Sequence, residues 1–118
     1  MSLVFVYGTL KRGGSNHGHL VGQSYLGDAH TAPGFCLYGL GGYPGMVEEA
    51  GAEGVRGEVW SVDAGCLVEL DRLEGTSEGL YRRGPVELMP PFAGSSVEAY
   101  YYLRSVEGCP RLGRSWAI

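Results

Sequence analysis

The sequence predicts an α+β domain whose sheet curls toward a small mixed β-barrel with flanking helices, and three observations carry that prediction. Short β-patterned segments lie on both sides of one clear amphipathic helix, an order that suits helices set against a single sheet. Glycine makes up 21 of 118 residues, spread without a triplet repeat among eight Tyr and two Trp, which reads as many tight turns between short strands. Only one or two helices are in view, too few for a doubly wound parallel sheet. With 44% hydrophobic residues, a chain of this length supplies one core without staples, so residues 1–118 read as one domain.

Each element has its own local signal. Leu3 to Tyr7 is an unbroken apolar run stopped by Gly8, the pattern of a central strand buried on both faces. Gly8 to Gly14 is too rich in glycine for a helix and reads as a loop leaving that strand. Asn16 to Val21 suits a short helical turn. Gln23 to His30 and Phe35 to Leu40 read as strands, and Gly39 to Gly45 as a turn or lid in which Pro44 disfavours a helix. Val55 to Val62 alternates apolar with small or polar residues, predicting a strand with one face in the core. Asp63 is a good N-cap for a helix over Ala64 to Leu73, with Leu67, Leu70 and Leu73 on one face and Gly75 placed to stop it. Tyr81 to Leu88 and Val97 to Leu103 return to strand, and Gly108 to Ile118 has no clear period.

Charge narrows the function. Charged residues are 19% and the net charge is −4, so the chain has no overall electrostatic grip on a nucleic-acid backbone or an anionic membrane. A small molecule or a protein is the expected partner. Cys36, Cys66 and Cys109 are odd in number and lack metal-ligand spacing, which suits buried or incidental thiols in a reducing compartment. No basic segment precedes the first apolar run, and no window approaches the ~20 apolar residues of a membrane span. The expected location is cytoplasmic.

Several familiar chemistries lack their residues. Tyr7 to Gly13 does not carry the G-x-x-x-x-G-K-[ST] spacing, and Gly39 to Gly45 does not carry G-x-G-x-x-G, so no nucleotide cofactor is expected. His17 and His19 stand two apart without a thiol or carboxylate nearby, and no metal is assigned. Two features keep two readings each. The loop at Gly8 is either an ordinary strand-ending turn or a place where backbone N–H groups approach an anion. Glu74 is either a solvated helix end or a carboxylate whose position against the macrodipole, if buried, raises its pKa toward neutrality and fits it for general acid–base work.

Taken together, Leu3-Val4-Phe5-Val6-Tyr7-Gly8-Thr9-Leu10-Lys11-Arg12-Gly13, Val55-Arg56-Gly57-Glu58-Val59-Trp60, Leu70-Asp71-Arg72-Leu73-Glu74-Gly75 and Tyr81-Arg82-Arg83 resemble the gamma-glutamylcyclotransferase-like family, in its gamma-glutamylamine cyclotransferase and AIG2-like branch. The four blocks keep the family's order and spacing. The resemblance implies a small barrel whose cavity is floored by the loop after the first strand. It implies that Tyr7, Gly8, Thr9 and Leu10 hold a gamma-glutamyl group, that Glu74 is the single catalytic carboxylate, and that Tyr81 helps line the site. The implied reaction is attack of the glutamyl α-amine on its own γ-carbonyl, giving 5-oxoproline and a free amine without metal or cofactor. Thr76 to Leu80 and Gly39 to Gly45 depart from the branch, which leaves the departing amine open. A binding or interaction module that keeps the cavity without turnover is the alternative.

Overall fold

The computed structural model describes residues 1–118. The chain runs β1 (Ser2–Val6), a 3-10 turn (His17–Leu20), β2 (Ser24–His30), β3 (Phe35–Gly39), β4 (Pro44–Glu48), β5 (Arg56–Val62), α1 (Ala64–Leu73), a second 3-10 turn (Thr76–Glu78), β6 (Tyr81–Pro85), β7 (Val97–Tyr102) and β8 (Arg111–Gly113). The strands form one mixed sheet in the order β2-β5-β1-β7-β4-β3-β8, with β6 pairing β7. As the α+β patterning requires, a single helix serves one sheet. The sheet does not close into a barrel, because β2 and β8 are left as its two ends.

The sheet is buried on both faces near its centre. Along β1 the side chains alternate, Phe5 entering one apolar core with Leu37, Met46 and Val59, and Val4 and Val6 entering a second with Trp60, Val62 and Leu70. The continuous apolar run of β1 therefore has a physical reason, since each of its faces needs an apolar residue. In β5 the structure corrects the one-faced expectation. Glu58, Trp60 and Val62 share one face and Val59 is fully buried on the other. Helix α1 covers the second core through Cys66 and Leu70. Its N-cap is as expected, with Asp63 Oδ1 accepting from Cys66 N at 2.7 Å.

Two strands escape sequence patterning, and a third is shorter than expected. β4 begins Pro44-Gly45, residues that signal a break. Proline is nonetheless tolerated at a strand's first position, where its missing N–H is not needed. β8 has three residues and meets β3 with a register shift between Leu37 and Tyr38, too short to show a period. β6 ends at Pro85, not at Leu88. Beyond it Leu88 makes only an isolated bridge to Thr31.

β7 organises the middle of the sheet. β6 pairs along it from Tyr81 opposite Tyr102 to Pro85 opposite Glu98, and so occupies one edge. β1 runs parallel beside Val97 to Ala99, and β4 meets the strand at Met46 opposite Tyr101, so these two share the other edge. Where β1 departs and β4 arrives, the sheet parts.

Candidate active site

A cavity of about 330 Å³ lies at that parting, lined by the end of β1 and its following loop, the start of β4, the C-terminal end of α1, and β6 and β7. Its size suits a small molecule. Hydrogen bonds from two tyrosines fix the strands around it. Tyr7 Oη donates to the carbonyl of Tyr100 at 2.6 Å and accepts from Met46 N at 3.2 Å, tying β1 to both β7 and β4. Tyr81 Oη donates to the carbonyl of Pro44 at 2.8 Å. Gly8 is needed where the chain turns out of the sheet, because a Cβ there would stand 2.6 Å from Pro44 Cγ.

The loop after Gly8 is built from its own backbone. Lys11 N donates to Gly8 O at 3.1 Å and Asn16 N to Thr9 O at 2.9 Å, while Asn16 Nδ2 donates to Thr9 Oγ1 at 2.9 Å. The N–H groups of Gly8, Thr9 and Leu10 find no acceptor in the protein. Three consecutive donors on cavity-lining residues are thus left without a protein acceptor, the kind of arrangement that can receive a carboxylate or a developing oxyanion. A buried carboxylate holds the far end of this loop. Glu58, only 8% exposed, accepts from Arg12 N and Arg12 Nε at 3.0 Å each and from Trp60 Nε1 at 3.1 Å.

Glu74 enters from the other side. It is the C-cap of α1, its N–H bonded to Leu70 O at 2.9 Å, and Gly75 takes a left-handed φ of 65° to end the helix. Its carboxyl lines the cavity, and burial pushes its pKa up to about 7. No other ionised side chain lines the cavity. Burial likewise raises the phenols of Tyr7, Tyr81 and Tyr100, which remain neutral at physiological pH.

The helix end that carries Glu74 is clamped to the sheet. Tyr100 Oη donates to Asp71 Oδ1 at 2.7 Å. Arg83 Nε lies 3.2 Å from the same oxygen without hydrogen-bond alignment, and Arg83 Nη1 donates to Glu98 Oε1 at 3.2 Å. Because Asp71 and Glu74 are three apart on α1, fixing one fixes the face that presents the other.

All six residues singled out from the sequence, Tyr7, Gly8, Thr9, Leu10, Glu74 and Tyr81, line this one cavity. The Tyr7 hydroxyl, however, is committed to the backbone of two strands, and the space that Gly8 leaves open is taken by Pro44. Tyr43, Asn16, Leu80 and Tyr100 also line the cavity and were not singled out. Tyr100 is hidden by the run Tyr100-Tyr101-Tyr102, in which period two alone distinguishes the rings. His17 does not face a metal cluster: its Nδ1 lies 3.0 Å from Leu10 O and its ring packs on Trp60.

Comparison with known proteins gives the family and the fold. Residues 4–117 match the family model described as gamma-glutamyl cyclotransferase, AIG2-like. A Vibrio cholerae protein with a provisional gamma-glutamylcyclotransferase name is 46% identical over 98 residues, which span 83% of this chain and 81% of the relative. The solution structure of the Escherichia coli protein YtfP superposes with a TM-score of 0.71 at 36% identity, over 97% of this chain and 95% of that one. A mouse AIG2-like protein superposes with a TM-score of 0.79 at 26% identity, over 99% of this chain and 88% of the other.

Proposed function

Because this chain belongs to the gamma-glutamyl cyclotransferase, AIG2-like family, we propose that it converts a small gamma-glutamyl-amine to 5-oxoproline and the free amine, with Glu74 as its acid–base residue. The observation that carries this reading is the pairing, across one cavity, of a desolvated carboxyl with a pKa near 7 and three unpaired backbone N–H groups.

The chemistry follows from that pairing. The glutamyl α-amine is mostly protonated at neutral pH and must lose a proton before it can attack. A carboxylate that titrates near 7 is matched to that task. Nitrogen attacks the γ-carbonyl to close the five-membered ring, and negative charge builds on the carbonyl oxygen. In this reading the N–H groups of Gly8, Thr9 and Leu10 bind the glutamyl carboxylate or that oxyanion. The bond to the departing nitrogen then breaks as the protonated Glu74 returns its proton to the leaving amine, and the restored carboxylate takes the second proton from the ring nitrogen as the lactam forms. Nucleophile and electrophile belong to one molecule, so the cavity contributes mainly by holding a bent, reactive conformer. No enzyme-bound acyl group forms.

The lining also bears on the leaving group. With no cation in the cavity, a carboxylate on the departing amine would lie unpaired near Glu74, a desolvation cost that a neutral side chain avoids. Amines such as the lysine-linked isopeptide, whose charges lie several bonds from the reacting nitrogen, fit better than α-amino acids or glutathione.

The test is mass spectrometry for 5-oxoproline after incubation with gamma-glutamyl-amines, gamma-glutamyl amino acids and glutathione, with Glu74→Gln alongside. Product from the first group that disappears in the variant is the expected result. Equal product from the variant would overturn the role of Glu74. No product from any substrate would leave the fold to a binding role.

A further inference from the structure

The Gly8–Arg12 loop has a second side. Behind the catalytic cavity it borders an open groove floored by the paired ends of β2 and β5 and flanked by the C-terminal segment at Arg114 and Ser115. The groove collects four cations, Lys11, Arg12, Arg56 and Arg114, against two carboxylates, Asp28 and Glu58, on a chain whose net charge is −4. Both carboxylates are already engaged within the protein. Glu58 holds the Arg12 Nε and backbone N, and Asp28 Oδ1 accepts from Arg12 Nη2 at 3.0 Å and from Tyr25 Oη at 2.7 Å. Arg12 is therefore neutralised, and the remaining three cations lack a comparable partner.

Their separate contacts make this plain. The Arg56 guanidinium has neither a hydrogen bond nor an ion pair, while its backbone N donates to Arg114 O at 2.7 Å and brings the two arginines together. Arg114 has Glu53 at 3.7 Å, whose carboxylate is 77% exposed, and its Nε donates to a neutral acceptor, the carbonyl of Gly54, at 3.4 Å. Lys11 Nζ donates to a neutral acceptor, the carbonyl of Trp116, at 2.7 Å. Like charges gathered in a groove repel one another, and an anion placed among them relieves that repulsion. Guanidinium forks match carboxylate and phosphate oxygens in pairs, which selects for such a ligand.

We propose that this groove binds a small polyanion, carrying two or more carboxylate or phosphate groups, through Arg56, Arg114 and Lys11. The site is distinct from the catalytic cavity and independent of the reaction proposed for it. Lys11 belongs to the loop whose N–H groups line that cavity, so occupancy of the groove acts on the back of the active-site loop.

The experiment is a titration of the intact chain followed by backbone amide NMR shifts, with citrate and inorganic phosphate as probes and acetate as a single-charge control, all at constant ionic strength. Saturable shifts centred on Lys11, Arg56, Gly57 and Arg114 are expected, with citrate or phosphate at least tenfold tighter than acetate, and the stronger of the two identifies the anion type. Arg56→Gln is expected to weaken binding at least fivefold without changing the melting temperature, and Arg114→Gln provides a second, independent removal of charge. Shifts that are linear in concentration, equal for acetate, or unmoved by both substitutions would overturn the proposal.

Discussion

Glu58 is buried behind the Gly8–Arg12 loop and Glu74 is half-buried where it lines the cavity, and the two carboxylates are treated in opposite ways. Glu58 sits in mid-strand and accepts three hydrogen bonds, one of them from a guanidinium. Glu74 caps a helix, faces a cavity, and has its pKa raised by burial alone. A carboxylate whose lone pairs are filled is an anchor, whereas one left bare is kept close to its neutral form and can exchange a proton. In the proposed reaction one holds the loop still and the other acts on what the loop holds.

Replacing the reactive member of the pair has the largest expected effect. Glu74→Gln is expected to lower 5-oxoproline formation by about 10²–10⁴-fold, the range for loss of a positioned acid–base group, with the fold intact by circular dichroism. Stability moves the other way. The folded pKa of Glu74 lies above its unfolded value, so the wild type is unpenalised below about pH 4.5 and loses stability as pH rises through 7. Denaturant melts at pH 3.5 and pH 8.5 are expected to show Glu74→Gln level with wild type at the first and more stable by ~3 kcal/mol at the second. A constant difference at both pH values would mean that the carboxyl is not desolvated.

Breaking the anchor is expected to do the reverse. Glu58→Ala leaves the Trp60 indole N–H and the Arg12 backbone N–H without their acceptor and should cost about 2–3 kcal/mol in urea unfolding. Its activity loss is expected in KM more than in kcat, because the loop is loosened while Glu74 is untouched. The smallest effect belongs to the clamp. Tyr100→Phe removes the hydrogen bond to Asp71 and should cost about 1 kcal/mol, with a fall in kcat that separates it from a purely structural change.

The same contrast marks what the amino-acid order reveals. Glu74 is legible because local signals converge on it: a capped amphipathic helix, a carboxylate at the wrong end of the dipole, and a glycine to stop the turn. β1 and α1 are legible for the same reason, each being determined by its own residues. Glu58 is harder to see, although its place among the inward positions of β5, on one face with Trp60 and Val62, is a usable sign that a carboxylate is buried. Its partner Arg12 lies 46 residues away, and no local pattern encodes that distance. The Tyr100–Asp71 clamp and β4 are hidden likewise, one by a run of three tyrosines and the other by a Pro-Gly start. The open sheet differs from the expected closure because β8, at three residues, ends the order opposite β2 and pairs only with β3.

The shared edge of β7 also governs when the site can come into being. Phe5 is registered with Ala99 and Met46 with Tyr101, so the strands that frame the cavity meet only on a template synthesised after both of them. Until residues 97–102 leave the ribosome, β1 can pair with β5 but has no β7 on its other edge, and the parting that forms the cavity does not exist. Such long-range closure is slow compared with helix or hairpin formation. The interval leaves an apolar first strand half paired, a stage at which a growing chain is most open to chaperones and to wrong partners.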